Sequence, residues 1–270
     1  MQVLYTVKEL RAIRRELQSS AIGFVPTMGC LHEGHLELIR QARSQCEKVF
    51  VSIFVNPTQF GPNEDFAKYP RTLETDLSFC EDNGVDYVFV PTVEEIYARG
   101  KDNIVTVKPP LSMSDCLCGA SRKGHFEGVL TVVLKLFNLV EPTQAFFGEK
   151  DYQQLSLIRA MKEDLNFNIE IIGVPTIREE SGLAMSSRNR YLSLDEKTKA
   201  LELFEALQAA KKLINEGQNA HQVLTSLKKD YFEYFEARDP LTLQATEVHP
   251  MRLFIAAKIG DTRLIDNLEV

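Results

Sequence analysis

Two histidines three residues apart stand in the run Pro26-Thr27-Met28-Gly29-Cys30-Leu31-His32-Glu33-Gly34-His35. Ahead of them Ala21 to Val25 reads as a buried strand; behind them Leu36, Leu38, Ile39 and Ala42 recur at helical spacing. The break at Pro26 and Gly29 places the pair in a strand-to-helix turn or the first helical turn. Free backbone N–H groups and the positive end of the helix dipole favour an anion there. Three apart on a helix, the imidazoles share one side, and Gly34 between them lets something bulky approach the backbone. Such a pair suits a phosphate chain that gains negative charge during reaction. Alone, the two histidines would read as an ordinary surface turn. A zinc-protease reading fails because that motif needs its histidines four apart. Cys30 opens a rival, a thiol hydrolase, since a helix N-terminus lowers a thiol pKa; no third orienting group is evident.

Three further polar segments carry chemistry. Gly148-Glu149-Lys150-Asp151 follows the apolar run Gln144 to Phe147, which puts a lysine at a strand end where it can meet a phosphate. Asp151 is equally explained as a helix N-cap. Asn56-Pro57-Thr58-Gln59-Phe60-Gly61-Pro62-Asn63 follows the apolar run Lys48 to Val55. Met185-Ser186-Ser187-Arg188-Asn189 lies in a polar, small-residue segment, Arg178 to Arg190, suited to a mobile loop that closes on a triphosphate.

The elements that must position these groups alternate. Thr6-x-x-Glu9 is a capping-box pattern opening a first helix. Strands are expected at Ala21–Val25, Lys48–Val55, Val85–Val90, Gln144–Phe147 and Ile169–Val174, with a shorter one at Asn103–Val107. Helices are expected near Leu73–Asp82, at Phe126–Val140 and at Tyr152–Glu163. This alternation predicts an α/β fold, a Rossmann-like doubly wound parallel sheet over residues 1–176. Ligands of such sheets bind beyond the carboxyl ends of the strands, so all three strand-end loops should converge on one rim. Residues 177–270 change character and read as a smaller C-terminal α+β domain. Its helices are expected at Asp195–Ile214 and Ala220–Phe235, and its strands at Leu241–Val248, Arg252–Ala257 and Thr262–Asn267.

The chain of 270 residues is 44% hydrophobic with a formal net charge of −7, enough to bury a large core and opposed to nucleic-acid binding by bulk electrostatics. No apolar stretch reaches membrane-spanning length, and Lys8, Arg11, Arg14 and Arg15 interrupt any leader-like run. Five cysteines without framework spacing suit a reducing cytoplasm. Cys116, Cys118 and His125 could be imagined as metal ligands, but no fourth partner is near in sequence.

Taken in order, P-T-M-G-x-L-H-E-G-H at 26–35, F-V-N-P-T-Q-F-G at 54–61, Y-P-R-T at 69–72, G-H-F-x-G-V at 124–129, F-G-E-K-D-Y-Q-Q at 147–154 and M-S-S-R-N at 185–189 resemble the pantoate–β-alanine ligase (pantothenate synthetase) family. That family belongs to the H-x-G-H nucleotidyltransferases related to class I aminoacyl-tRNA synthetases. The resemblance spans essentially the whole chain, more thinly after residue 195. It implies ATP-dependent condensation of pantoate with β-alanine through an acyl-adenylate, with Mg2+ carried on ATP, in a cytoplasmic homodimer without nucleic-acid or membrane partners. It also implies an ATP site at Met28 to His35, Gly148 to Asp151, Ile177 and Met185 to Arg188. His35 would be the proton donor, His32 its companion, and Lys150 and Arg188 the phosphate clamps. Gln59 and Gln154 match the pantoate-holding positions, and Arg122 lies where a basic residue often meets the substrates. Cys30 and Lys123 stand where alanine and proline are common, and no protein ligand for a metal is implied.

Overall fold

The structure, a computed structural model, describes residues 1–270 except Asn63 and Asp65. Asn63, the last residue of the loop expected after the second long strand, therefore lies outside the described residues. In chain order the elements are β1 (Gln2–Leu4), α1 (Val7–Glu16), β2 (Ile22–Thr27), α2 (Glu33–Gln45), β3 (Lys48–Ile53), α3 (Leu73–Asp82), β4 (Tyr87–Phe89), α4 (Val93–Ile96), α5 (Leu111–Ser114), α6 (Leu117–Ser121) and α7 (His125–Val140). They continue as β5 (Gln144–Gly148), α8 (Tyr152–Asp164), β6 (Glu170–Val174), α9 (Leu194–Asn215), α10 (Ala220–Leu227), β7 (Phe232–Arg238), β8 (Arg252–Ile259) and β9 (Thr262–Glu269).

Strands β1 to β6 form one parallel sheet in the spatial order β1-β4-β3-β2-β5-β6. From β2 the chain winds outward through β3 and β4, then restarts on the other side of β2 with β5 and β6. The β2–β5 seam is therefore the point where winding reverses, and there a crevice opens beyond the strand ends. The strands are apolar on both faces because both are covered. Phe24, Phe50 and Phe89 pack with Leu10 of α1, Phe137 of α7 and Leu155 of α8. Val25, Val49, Val51 and Val88 pack with Leu38 and Ile39 of α2 and Cys80 of α3.

β2 runs two residues beyond the expected break, through Pro26. Carbonyls along β2 alternate sides: Ala21 and Thr27 accept from Lys48 and Phe54 on the β3 side, Ile22 from Thr143 on the β5 side. Pro26, which has no N–H to give, faces β5 by this alternation. Pairing with β5 is recorded only at Gly23 and Phe24, so the proline removes no donor from a ladder there. A proline inside a central strand thus marks where the seam parts.

The second sheet is antiparallel, β7-β8-β9. Along β8, Leu253, Ile255 and Ala257 join a core with Leu203 and Leu207 of α9 and Val223 of α10. The alternate residues Phe254 and Ala256 join the core of the large sheet, and Phe254 meets Tyr152 of α8 edge to face. One strand thereby cements both units.

Three expectations need correction. The helix expected over Ala220–Phe235 stops at Leu227, and Phe232 to Arg238 is a strand, because Phe232, Tyr234 and Phe235 bury across a sheet rather than along a helical stripe. Leu241–Val248 is not a strand: Asp239 accepts from the Leu241 and Thr242 N–H groups and curls the chain, leaving one bridge, Arg238 to Ala245. Asn103–Val107 is irregular, with Val107 N–H donated to the Thr131 hydroxyl. β1, three residues long, gave no readable periodicity.

Candidate active site

At the end of β2 the chain turns through Gly29 and Cys30, both in the left-handed region (φ 80° and 53°). The Cys30 and Leu31 N–H groups donate to the carboxylate of Asp76 on α3 at 2.9 and 2.8 Å, and the Thr72 hydroxyl adds a third donor at 3.2 Å. Asp76 is buried, and its position inside an otherwise ordinary helix carried no signal in the sequence.

His32 is the N-cap of α2. Its Nδ1 accepts the Gly34 N–H at 3.1 Å, and His35 Nδ1 accepts the His32 N–H at 3.3 Å, a capping box built from two imidazoles. The expectation of free backbone donors for an anion is therefore narrowed: the N–H groups of Cys30, Leu31, His32 and Gly34 are taken within the protein, and the two imidazoles are the turn's side-chain donors. With both Nδ1 atoms accepting, each neutral ring carries its proton on Nε2. Burial, then the charges of Lys150 and other neighbours, lowers the His32 pKa to about 4. Burial, His32 and Lys150 lower that of His35 to about 3. At neutral pH each ring thus offers an Nε2–H hydrogen bond without a positive charge. Gly34 serves the pair itself: a side chain there would meet the His32 ring at 2.9 Å. Glu33 is exposed.

Gln59 ends a 3-10 turn, Pro57–Gln59, capped by Asn56. Asn56 Oδ1 accepts from the Thr58 N–H, the Thr58 hydroxyl and the Tyr97 hydroxyl, while its Nδ2 donates to Gln59 Oε1 at 3.0 Å and to the Gly128 carbonyl at 3.2 Å. Gln59 Nε2 then points to Met28 Sδ at 3.2 Å. His125 at the start of α7 bonds the Gln59 carbonyl through Nδ1 at 2.7 Å and meets Arg122 Nη1 through Nε2 at 2.8 Å. The guanidinium donates the second bond, so the imidazole donates the first; burial and Arg122 lower the His125 pKa to about 4, in keeping with a neutral ring. Arg122 also forms a two-pronged ion pair with Glu64 at 2.8 and 2.6 Å. Asn56, Glu64, Tyr97, His125 and Gly128 carry no site role read from the sequence, although Asn56, His125 and Gly128 lie in motifs that carry the resemblance.

Of the adjacent glutamines on α8, Gln153 is structural, spanning the Cys118 N–H and the Met113 and Cys116 carbonyls. Gln154 faces the crevice. The polar segment after β6 is tied rather than loose. Met185 N–H bonds the Ile177 carbonyl, Ser186 caps the turn that holds Arg188, and buried Asn189 donates to Glu179 and to the Ala184 carbonyl. Arg188 lies over the Tyr69 ring, 5.9 Å from its centroid.

These loops enclose a cavity of about 260 Å³ at the β2–β5 seam. Met28, His32, Gly34, His35, Gln59, Arg122, Gly148, Lys150, Asp151, Gln154, Ile177, Met185, Ser186, Ser187 and Arg188 line it. Gly29, Cys30, Leu31, Glu33 and Glu149 are not among its lining: the Gly29 N–H donates to the Thr27 hydroxyl, those of Cys30 and Leu31 to Asp76, and Glu149 reaches Arg252 at 3.4 Å. A second cavity of about 960 Å³ between the two sheets shares Arg122, Lys150, Asp151, Gln154 and Arg188 with it. Cys30 is buried, and burial raises its thiol pKa, which disfavours the thiolate that the thiol-hydrolase rival requires. The sulfurs of Cys116 and Cys118 turn to different partners, the Met113 carbonyl and the Tyr234 hydroxyl. Among the described residues no three His, Cys, Asp or Glu side chains converge as metal ligands.

The pantoate-beta-alanine ligase family model matches residues 2–269. A pantothenate synthetase of Acinetobacter baumannii is 51% identical over 256 residues, 92% of this chain and 90% of its own length. One from Thermosipho africanus is 48% identical over 99% of both chains. The crystal structure of pantothenate synthetase from Thermus thermophilus superposes with a TM-score of 0.94 at 44% identity, covering 100% of this chain and 99% of that one. A pantoate-beta-alanine ligase from Francisella tularensis, solved with beta-gamma ATP and beta-alanine, superposes with a TM-score of 0.84 at 38% identity, covering 100% and 97%. With the family model spanning nearly every residue and the H-x-G-H, N-P-T-Q and G-E-K-D loops meeting at one seam, this chain belongs to the pantoate–β-alanine ligase family.

Proposed function

We propose that the chain condenses (R)-pantoate with β-alanine at the expense of ATP, through a pantoyl-adenylate. The observation that carries this reading is the composition of the seam cavity. Two imidazoles locked as Nε2–H donors share it with Lys150 and Arg188, and the neutral amides Gln59 and Gln154 line the same space. In the first step a carboxylate oxygen of pantoate attacks the α-phosphorus and the bond to the β-phosphate oxygen breaks, releasing pyrophosphate. In the second the β-alanine amine attacks the acyl carbon, the C–O bond to AMP breaks, and the amine loses a proton. Neither step needs a protein nucleophile, so the protein's work is alignment and stabilisation of phosphoryl charge.

On this reading Met28, His32, Gly34 and His35, with Gly148, Lys150, Asp151, Ile177 and Met185 to Arg188, form the ATP site, and Gly29, Cys30 and Leu31 shape its turn from behind. His35 and His32 donate hydrogen bonds to phosphate oxygens as charge builds, and Lys150 and Arg188 clamp the departing phosphates. Gln59 and Gln154 hold pantoate without a buried cation that would mute its carboxylate, and Arg122 meets substrate near Glu64. Mg2+ arrives on the triphosphate, held by phosphate oxygens. Residues 1–176 bind nucleotide and pantoate, and 177–270 act as a lid. No helix of the described chain is long and apolar enough to cross a membrane; the cytoplasmic location and the homodimer are carried over from the family resemblance.

The test is exchange of labelled pyrophosphate into ATP. Exchange that requires pantoate and proceeds without β-alanine, with AMP released only after β-alanine is added, is the expected result. Exchange independent of pantoate, or AMP and pyrophosphate appearing only together with both substrates present, would refute the two-step scheme. A stable adenylylated product with no response to β-alanine would instead favour an adenylyltransferase on this fold.

A further inference from the structure

The lysine turn is held from outside its own sheet. Asn267, on β9 of the C-terminal sheet, donates from Nδ2 to two consecutive carbonyls of that turn, those of Glu149 and Lys150, at 2.9 Å each. The carboxamide is buried and cannot rotate freely. Arg252 Nη1 donates to its Oδ1 at 2.6 Å, and the same guanidinium lies 3.8 Å from the Tyr152 ring centroid and reaches Glu149 at 3.4 Å. The backbone of Asn267 is anchored as well, its N–H bonding Asp266 Oδ1, whose carboxylate pairs with both terminal nitrogens of Arg178.

We infer that Asn267 is a positioning residue for Lys150: its carboxamide sets the main chain from which the lysine reaches into the seam cavity. The chemistry follows from the inventory of donors. The 3-10 turn Glu149–Asp151 at the end of β5 leaves carbonyls without partners in a ladder, and an amide NH2 has two protons, enough for two adjacent acceptors. Asp in the same place would keep the shape and the bond from Arg252, yet it would turn oxygen toward two carbonyl oxygens. The C-terminal sheet therefore does more than cover the site; its last strand holds the backbone of the phosphate-facing lysine. A shift of about 1 Å in such a group is costly, because the stabilisation depends on preorganised distance.

The inference rests on Lys150 acting on the phosphates, as proposed above, and a double-mutant cycle separates the two claims. Single-turnover acyl-adenylate formation, with melting temperature beside it, is measured for Lys150→Ala, Asn267→Ala, Asn267→Asp and each Asn267 variant combined with Lys150→Ala. Lys150→Ala alone tests the clamp. Asn267→Ala and Asn267→Asp should each slow adenylation roughly ten- to a hundredfold, while in the Lys150→Ala background the same changes should cost less than about twofold. A general loss of structure would slow both backgrounds alike. Unchanged adenylation in either folded variant, or a loss that persists in full without Lys150, overturns the inference. Should Asn267→Ala fail to fold, the isosteric Asn267→Asp decides alone.

Discussion

Gly128 sits in the first half of α7, a helix whose other residues are mostly large and apolar. Glycine there costs about 1 kcal/mol of helix propensity against alanine, so local preference argues for the substitution Gly128→Ala. The tertiary structure argues the other way. A Cβ at 128 would lie 2.3 Å from the Thr58 carbonyl oxygen, 2.5 Å from its carbon and 2.8 Å from the Gln59 nitrogen, all main-chain atoms that no rotamer change can move. Restoring a tolerable separation of about 3.0–3.4 Å requires a displacement of about 0.7–1.1 Å. The buried helix is the stiffer partner, so the Pro57–Gln59 turn must give way and carry Gln59 with it. Overpacking of this kind costs about 1–3 kcal/mol, which at roughly 2–4 °C per kcal/mol lowers the melting temperature by several degrees. A ~1 Å shift of Gln59 should lower kcat/KM for pantoate by about a hundredfold, with ATP binding little affected. Thermal melts together with pantoate and ATP titrations of the adenylation step make the test. A variant that melts like the parent and keeps its kcat/KM for pantoate would show that the close approach does not set Gln59, and the reasoning would fail.

Stability should fall as pH drops from about 6.5 toward 4. His32 and His125, lowered to about 4, and His35, lowered to about 3, stay neutral in the folded chain, while in the unfolded chain they take up protons below about 6.5. Protons bound only by the unfolded state favour it, by up to about 1.4 kcal/mol per pH unit for each histidine. Urea midpoints should decline between pH 7 and pH 5, above the ordinary carboxylate range, and His125→Asn should flatten the decline; midpoints constant over that interval would contradict the neutral assignment. Cys30→Ala should leave adenylation unchanged within about twofold and cost about 1 kcal/mol of stability. Abolished activity in a folded Cys30→Ala protein would restore the thiol mechanism.

What could be read from the chain alone was whatever local pattern encodes. Mostly apolar runs such as Lys48 to Val55 and helical repeats such as Leu36, Leu38, Ile39 and Ala42 announced a parallel sheet wound with helices, because a strand covered on both faces buries most of its side chains. Polar loops placed directly after those strands announced one shared rim, since all strands of a parallel sheet end on the same side. Only the tertiary structure decided how the groups on that rim are used. Asp76 lies 45 and 46 residues from the N–H groups it ties, and Asn267 lies 117 and 118 residues from the carbonyls it holds. No periodicity or spacing reports contacts at such separations. The histidine tautomers, too, depend on which backbone donor each Nδ1 meets once the turn has closed. The edge strand Phe232–Arg238 escapes a local reading for the same reason: its short apolar run fits a helix or a strand, and its pairing with β8 chooses between them.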